Sequence, residues 1–175
     1  MRFWAGIGSR QTPMGVLDDM RKIAHELEIC GYTLRSGNAD GADAAFASGV
    51  EKHAQIWLPY KNFNVEYQFL RPDHIYKLLV PYDPEALLSA KEFHPAPERL
   101  GVNGLLLMAR NFRQIVGRNE PNSEFVICWT PGGKEKGGTA QALRIAKSLE
   151  IPIYNLFNLT SKQIFSEINK RNMLS

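Results

Sequence analysis

The chain has 175 residues, 44% hydrophobic and 22% charged, with a formal net charge of +3 and a pI near 8.9. That length suits one domain that buries a core without a staple, and the composition excludes a low-complexity or disordered chain, with only residues 170–175 reading as a candidate tail. The mild basicity permits a nucleic-acid partner without demanding one. Two distant cysteines, Cys30 and Cys128, read as small buried apolar residues, and the four histidines form no i, i+4 pair, so neither a disulfide framework nor a metal site is expected, and no cofactor. The apolar run before Gly8 is too short for a signal-peptide core and nothing approaches a membrane span, which predicts a cytoplasmic protein with reduced thiols.

Phe3, Trp4, Ala5, Gly6 and Ile7 form a short apolar run, as in a strand buried on both faces. A turn through Gly8, Ser9 and Arg10 follows, with Thr12 expected as N-cap and Pro13 at the first helical position. Leu17, Met20, Ala24 and Leu27 then recur at helical spacing until Gly31. Arg10 reads either as a solvated loop cation or as a clamp beside the helix start. A second strand, Tyr32-Thr33-Leu34, delivers a turn-rich stretch, residues 36–43, into a helix expected over 44–53, whose small residues suit close packing. Asp40 is a candidate cap there. Asp43 is either a first-turn acid favoured by the helix dipole or a carboxylate that holds a ribose hydroxyl or a loop N–H.

Residues 55–59 read as a third strand. From 60 to 97 the pattern loosens, with prolines at 72, 81, 84, 95 and 97, seven aromatics including Tyr82, and one short helix over 84–92. A structureless loop of that length is unusual in a compact domain, so the segment is expected to carry small helices or act as an inserted lid. Its aromatics either stack bases or pack the segment down. A long helix over 100–117 carries Arg110, Asn111 and Arg113, which read as solvated, paired or ligand-binding.

The chain is organised around residues 125–139. An apolar strand ends in Thr130-Pro131, and a loop with Gly132, Gly133, Gly137 and Gly138 and two lysines enters an Ala-rich helix expected over 140–149. Glycines at a helix start let backbone N–H groups approach an anion, because the first-turn amides have no internal partner. The alternative is an ordinary strand-to-helix turn. A fifth strand, 151–156, and a helix over 161–170 complete the chain.

Apolar strands alternating with helices predict a doubly wound, Rossmann-like α/β fold: a mostly parallel sheet of five or slightly more strands with helices on both faces, in one domain. Right-handed crossovers make 3-2-1-4-5 the simplest order. In that order the turns at Gly8, Gly37 and Gly132 open onto one carboxyl edge, where such sheets bind ligands.

Four stretches, residues 5–10, 34–43, 109–117 and 137–140 with Ala142, resemble the signature blocks of the bacterial DNA-processing protein A (DprA/Smf) family in order and spacing. The wider superfamily is similar to the lysine-decarboxylase-like and "lonely guy" (SLOG) phosphoribohydrolase folds, whose Pro-Gly-Gly loop Pro131-Gly132-Gly133 echoes. The resemblance implies a Rossmann-like core that binds nucleotides or single-stranded DNA and self-associates, a dimer being the implied assembly. Two positions depart from these patterns: Asp40 stands where the DNA-processing family has arginine, and Ala142 where the phosphoribohydrolases have a catalytic glutamate.

The residues expected to hold phosphate are therefore Gly8, Ser9 and Arg10; Ser36, Gly37, Gly41 and Asp43; Arg110 and Asn111; and Gly132, Gly133, Gly137, Gly138 and Thr139. No catalytic residue is assigned. The first expectation is a binding protein for a nucleotide, a nucleotide-derived ligand or single-stranded DNA. The alternative is a nucleoside-monophosphate N-glycosidase whose carboxylate has moved to Asp40, Asp43 or Glu135.

Overall fold

Strand β1, Arg2–Gly8, is buried along five consecutive residues, so its apolar side chains feed a core on each face of the sheet. In the computed structural model, which describes residues 1–79 and 83–174, the chain continues through α1 (Met14–Ile29), β2 (Tyr32–Ser36), α2 (Ala42–Ser48), β3 (Ala54–Leu58), α3 (Val65–Leu70), β4 (Ile75–Leu78) and α4 (Pro84–Phe93). It then forms α5 (Val102–Ile115), β5 (Val126–Trp129), α6 (Gly138–Ser148), β6 (Ile153–Asn155) and α7 (Ser161–Leu174). Among the described residues six strands form one sheet, all parallel, in the order β4-β3-β2-β1-β5-β6. The expected five-strand order is present, extended at one edge by β4.

Alternate residues of each strand supply two apolar layers. Trp4, Leu34, Ile56 and Ile127 pack with α1, α2 and α7, where Trp4 meets Phe46 edge-on at 5.2 Å. Ala5, Ile7, Trp57, Val126 and Cys128 pack beneath α4, α5 and α6. Phe46 lies directly on Gly6, where a Cβ would sit 2.8 Å from its ring.

Several local expectations are corrected. Thr12 does not cap α1, whose N-cap is Pro13; its hydroxyl donates to the Ser9 carbonyl at 2.7 Å instead. Asp40 does not cap α2, because its carboxylate turns outward to accept from the Tyr67 hydroxyl at 2.8 Å. Helix α2 starts at Ala42 and stops at Ser48, short of His53. The Glu28 carboxylate of α1 takes the amides of Glu51, Lys52 and His53 at 2.8–2.9 Å and turns the chain into β3. Cys30 is exposed, at the C-cap of α1, while Cys128 is buried and its thiol is pushed up to about 12 by that burial. Residues 170–174 continue α7 rather than forming a tail.

Within residues 60–97, helix α4 matches its expected place, whereas β4 was not foreseen. Lys77 of β4 reaches Glu120 with both carboxylate oxygens at 3.0 Å, and Glu120 also receives Arg35 and Gln55, tying three strands to the loop before β5. The described aromatics are largely structural: Phe63 is buried, and the Tyr76 hydroxyl donates to the carbonyls of Tyr67 and Arg71. Pro81 and Tyr82 lie outside the described residues. Among the described residues, no helix is long and apolar enough to cross a membrane.

Candidate phosphate-binding cleft

Because β1 connects through α1 to β2 while β5 flanks its other side, the loops leaving β1 and β5 diverge and open a crevice at the carboxyl edge. A cleft of about 350 Å³ occupies that point. One residue joins its walls. The Ser9 amide donates to the Trp129 carbonyl at 3.1 Å, and its carbonyl accepts from the amides of Ala42 (3.3 Å) and Thr12 (3.4 Å). This stitching needs glycine on both sides. A Cβ on Gly8 would lie 2.7 Å from Ala42 Cβ, and Gly41, at φ +76°, has the Ser9 carbonyl 2.6 Å from where its Cβ would be.

Helix α5 supplies the floor. Leu107, Arg110, Asn111 and Gln114 stand at i, i+3, i+4 and i+7 and all line the cleft. Arg110 donates through Nη1 to the Gly37 carbonyl and lies 3.3 Å from the Asp43 carboxylate, with the Phe63 ring 5.7 Å away. Burial pushes Asp43 up to about 6, against the pull of Arg110, the Ala39 and Gly37 amides and Arg10. Burial likewise lowers the pKa of Arg110, with Asp43 opposing. Asn111 donates to the Gly138 carbonyl at 2.9 Å and to Gln141 at 3.3 Å, fixing where α6 begins.

The three glycine turns do gather at one edge, but they do not present equivalent amides. At α2 the Ala42 amide is taken by Ser9 and the Ala39 amide faces Asp43 at 3.4 Å. At α1 the Gln11 amide is taken by the Ser9 hydroxyl at 3.0 Å, and Met14 and Gly15 stand outside the lining. At α6, Gly137 turns the chain at φ +71° with no side-chain cap, and among the described residues no acceptor reaches the amides of Gly138 and Thr139. Both line the cleft, as do the exposed side chains of Arg10 and Lys136. The cleft therefore combines unpaired donors, the positive end of an 11-residue helix and two exposed cations.

Of the residues singled out by sequence, Gly8, Ser9, Arg10, Asp43, Arg110, Asn111, Gly137, Gly138 and Thr139 line the cleft. Ser36, Gly37, Gly41, Gly132 and Gly133 do not. The Ser36 hydroxyl donates to the Gly6 carbonyl, Gly37 serves Arg110, and Gly133 packs on Phe157 and Asn158. Arg113 is a structural clamp, holding Asp83 through two 2.8 Å bonds and Glu85 at 2.6 Å. Sequence reasoning missed Leu107, Met108, Gln114 and Lys136. The heptad-like spacing on α5 was the signal for Leu107 and Gln114, and the lysine beside Gly137 for Lys136. Residues 60–79 and 83–97 contribute nothing to the lining, and no group of three or more His, Cys, Asp or Glu side chains clusters among the described residues.

Sheet order and cleft position define a doubly wound α/β domain with a cleft at the switch point, where such sheets bind ligands. No protein-family model matches the chain, and no curated protein matches it. Solved structures do. DNA processing protein A from Helicobacter pylori, described for its single-stranded DNA binding mode, superimposes with a TM-score of 0.64 at 18% identity, over 88% of this chain and 64% of that one. DNA processing protein A (DprA) from Streptococcus pneumoniae gives 0.51 at 14% identity, over 88% of this chain and 49% of that one. At these identities the likeness is one of fold, and the chain spans less than two thirds of either protein.

Proposed function

We propose that the cleft binds single-stranded DNA by seating a backbone phosphate on the Gly138 and Thr139 amides, between Arg10 and Lys136. The observation that carries this reading is that two unengaged amides and two exposed cations line the same cleft. The fold likeness to the Helicobacter pylori protein, whose description names single-stranded DNA, favours a strand over a free nucleotide. Asp40, the position that departs from the DNA-processing pattern, is held by Tyr67 outside the cleft and so does not face the seated phosphate.

Anisotropy of a labelled oligothymidylate, titrated with protein across salt concentrations, tests it. Each neutralised phosphate releases counterions, so affinity falls steeply with salt. Binding of a mononucleotide with little salt dependence, and none of the strand, would replace this reading by that of a nucleotide-binding protein. The self-association implied by the family resemblance belongs to the same reading, and light scattering of the free protein reads it.

One observation keeps the N-glycosidase alternative in view: Asp43 lines the cleft, whereas Asp40 faces Tyr67 and Glu135 is engaged by Lys147. A buried carboxyl that titrates near 6 suits an acid–base role. Release of free base from a panel of nucleoside monophosphates, abolished in Asp43→Asn, would establish it. No release from any of them removes it.

A further inference from the structure

The Pro131–Gly133 turn joins the cleft to a second feature on the carboxyl edge. Pro131 lines the cleft, whereas a Cβ on Gly133 would stand 3.1 Å from the Phe157 ring. Between them Gly132 carries no side chain and has only the Lys134 stem near its Cβ position, at 3.9 Å, so the turn forms a low backbone saddle. Beyond it Phe157 is 50% exposed, with its ring 6.5 Å from that of Trp129 at the end of β5. Lys134 and Lys136 are exposed beside the saddle, and the acid between them, Glu135, is occupied by Lys147.

An exposed phenylalanine backed by a partly buried tryptophan, beside exposed lysines and one short turn from the proposed phosphate seat, has the chemistry of a base-stacking platform. Every base offers a π-face, so such a platform is tolerant of sequence while lysines follow the backbone. We infer that Phe157, backed by Trp129, stacks a base of a strand that crosses the saddle, one or more nucleotides from the phosphate held at α6. This rests on the strand-binding reading and adds to it a second contact that a mononucleotide in the cleft does not make.

The chain carries its own reporter. Of its three tryptophans, Trp4 and Trp57 are buried at 0% and 1% exposure, and Trp129 alone is partly exposed. An oligothymidylate of about 12 nucleotides is titrated into the protein, reading strand anisotropy and tryptophan emission together. Wild type is expected to bind with quenched emission. Phe157→Ala is expected to bind roughly 5- to 150-fold more weakly, the range given by stacking of one base, and Phe157→Tyr to bind like wild type.

An abasic strand of equal length keeps the phosphates and drops the bases, so Phe157→Ala should bind it as wild type does. If Phe157→Ala binds the oligothymidylate with wild-type affinity and unchanged emission, the platform is overturned while phosphate seating stands. If anisotropy is flat for wild type at low salt, the strand-binding reading itself fails, and the platform with it.

Discussion

The Asp43 carboxylate lies 3.3 Å from the Arg110 guanidinium, and the two residues are only 4% and 6% exposed beneath the cleft. The pair holds a charge in the cleft lining that depends on pH. Asp43 titrates near 6, so acidification through that value removes a negative charge from the lining and leaves Arg110 positive. Binding of an anionic ligand is expected to tighten as pH falls from about 7 to about 5, where Asp43 takes up its proton. In Asp43→Asn that dependence should flatten. Affinity measured across pH for both proteins checks it, and parallel curves would show that another group is responsible.

Arg110 is engaged by the Gly37 carbonyl and the Asp43 carboxylate, which separates it from the exposed Arg10. Arg110→Ala leaves Asp43 buried without its partner and is expected to cost about 3–5 kcal/mol of stability, measured by urea denaturation near neutral pH. Arg10→Ala and Lys136→Ala should leave stability nearly unchanged while each weakens phosphate binding by about 1.5–3 kcal/mol. Each should also lower the salt slope by about one unit. A stable Arg110→Ala protein that binds poorly would reverse this division.

Gly37→Ala tests the same floor from the other side. The added methyl would collide with the Arg110 guanidinium and come within 2.7 Å of Gln114 Nε2. Both residues are buried, and Arg110 is also bonded to Gly37 and set against Asp43, so the substitution is expected to destabilise by about 1–3 kcal/mol, the usual range for overpacking. Gly15→Ala, where nothing lies within 4 Å of the new methyl, is the matched control and should fold with wild-type stability.

Glu28 makes an acid-sensitive joint away from the site. Burial alone would raise its pKa, but the amides of Glu51, Lys52 and His53 outweigh that and hold it below the ordinary carboxylate value. A lowered folded-state value means stability that is present above the unfolded pKa, near 4.5, and lost as pH falls through the folded one. Glu28→Gln should destabilise by about 1.5–3 kcal/mol at pH 7. The difference from wild type should shrink below about pH 4, where the wild-type carboxylate also becomes neutral. A difference that stays constant from pH 7 to pH 3 would argue against the three-amide clasp.

The sheet was legible because strands buried on both faces leave unbroken apolar runs, and Phe3 to Ile7 and Phe125 to Trp129 are such runs. Strand β4 was not, since Ile-Tyr-Lys-Leu is short, lies near prolines and contains a lysine whose partner, Glu120, is 43 residues away. Asp43 and Arg110 were both noticed as residues of interest. Their mutual pairing carries no local mark, because they meet across 67 residues and through a turn that requires Gly37. The loop glycines show the converse: by composition all four invite an anion, yet Gly133 packs on Phe157 and Asn158, Gly132 has only Lys134 beside it, and Gly137 and Gly138 are the two that line the cleft.

Ser9 commits its amide to Trp129 and its carbonyl to Ala42, so one residue mortises three loops into a single block. A receptor built that way arrives at its guest already shaped, with little ordering left to do on contact. Its Ser9 amide should be among the slowest on the carboxyl edge to exchange with deuterium, and should stay equally slow once the guest has docked.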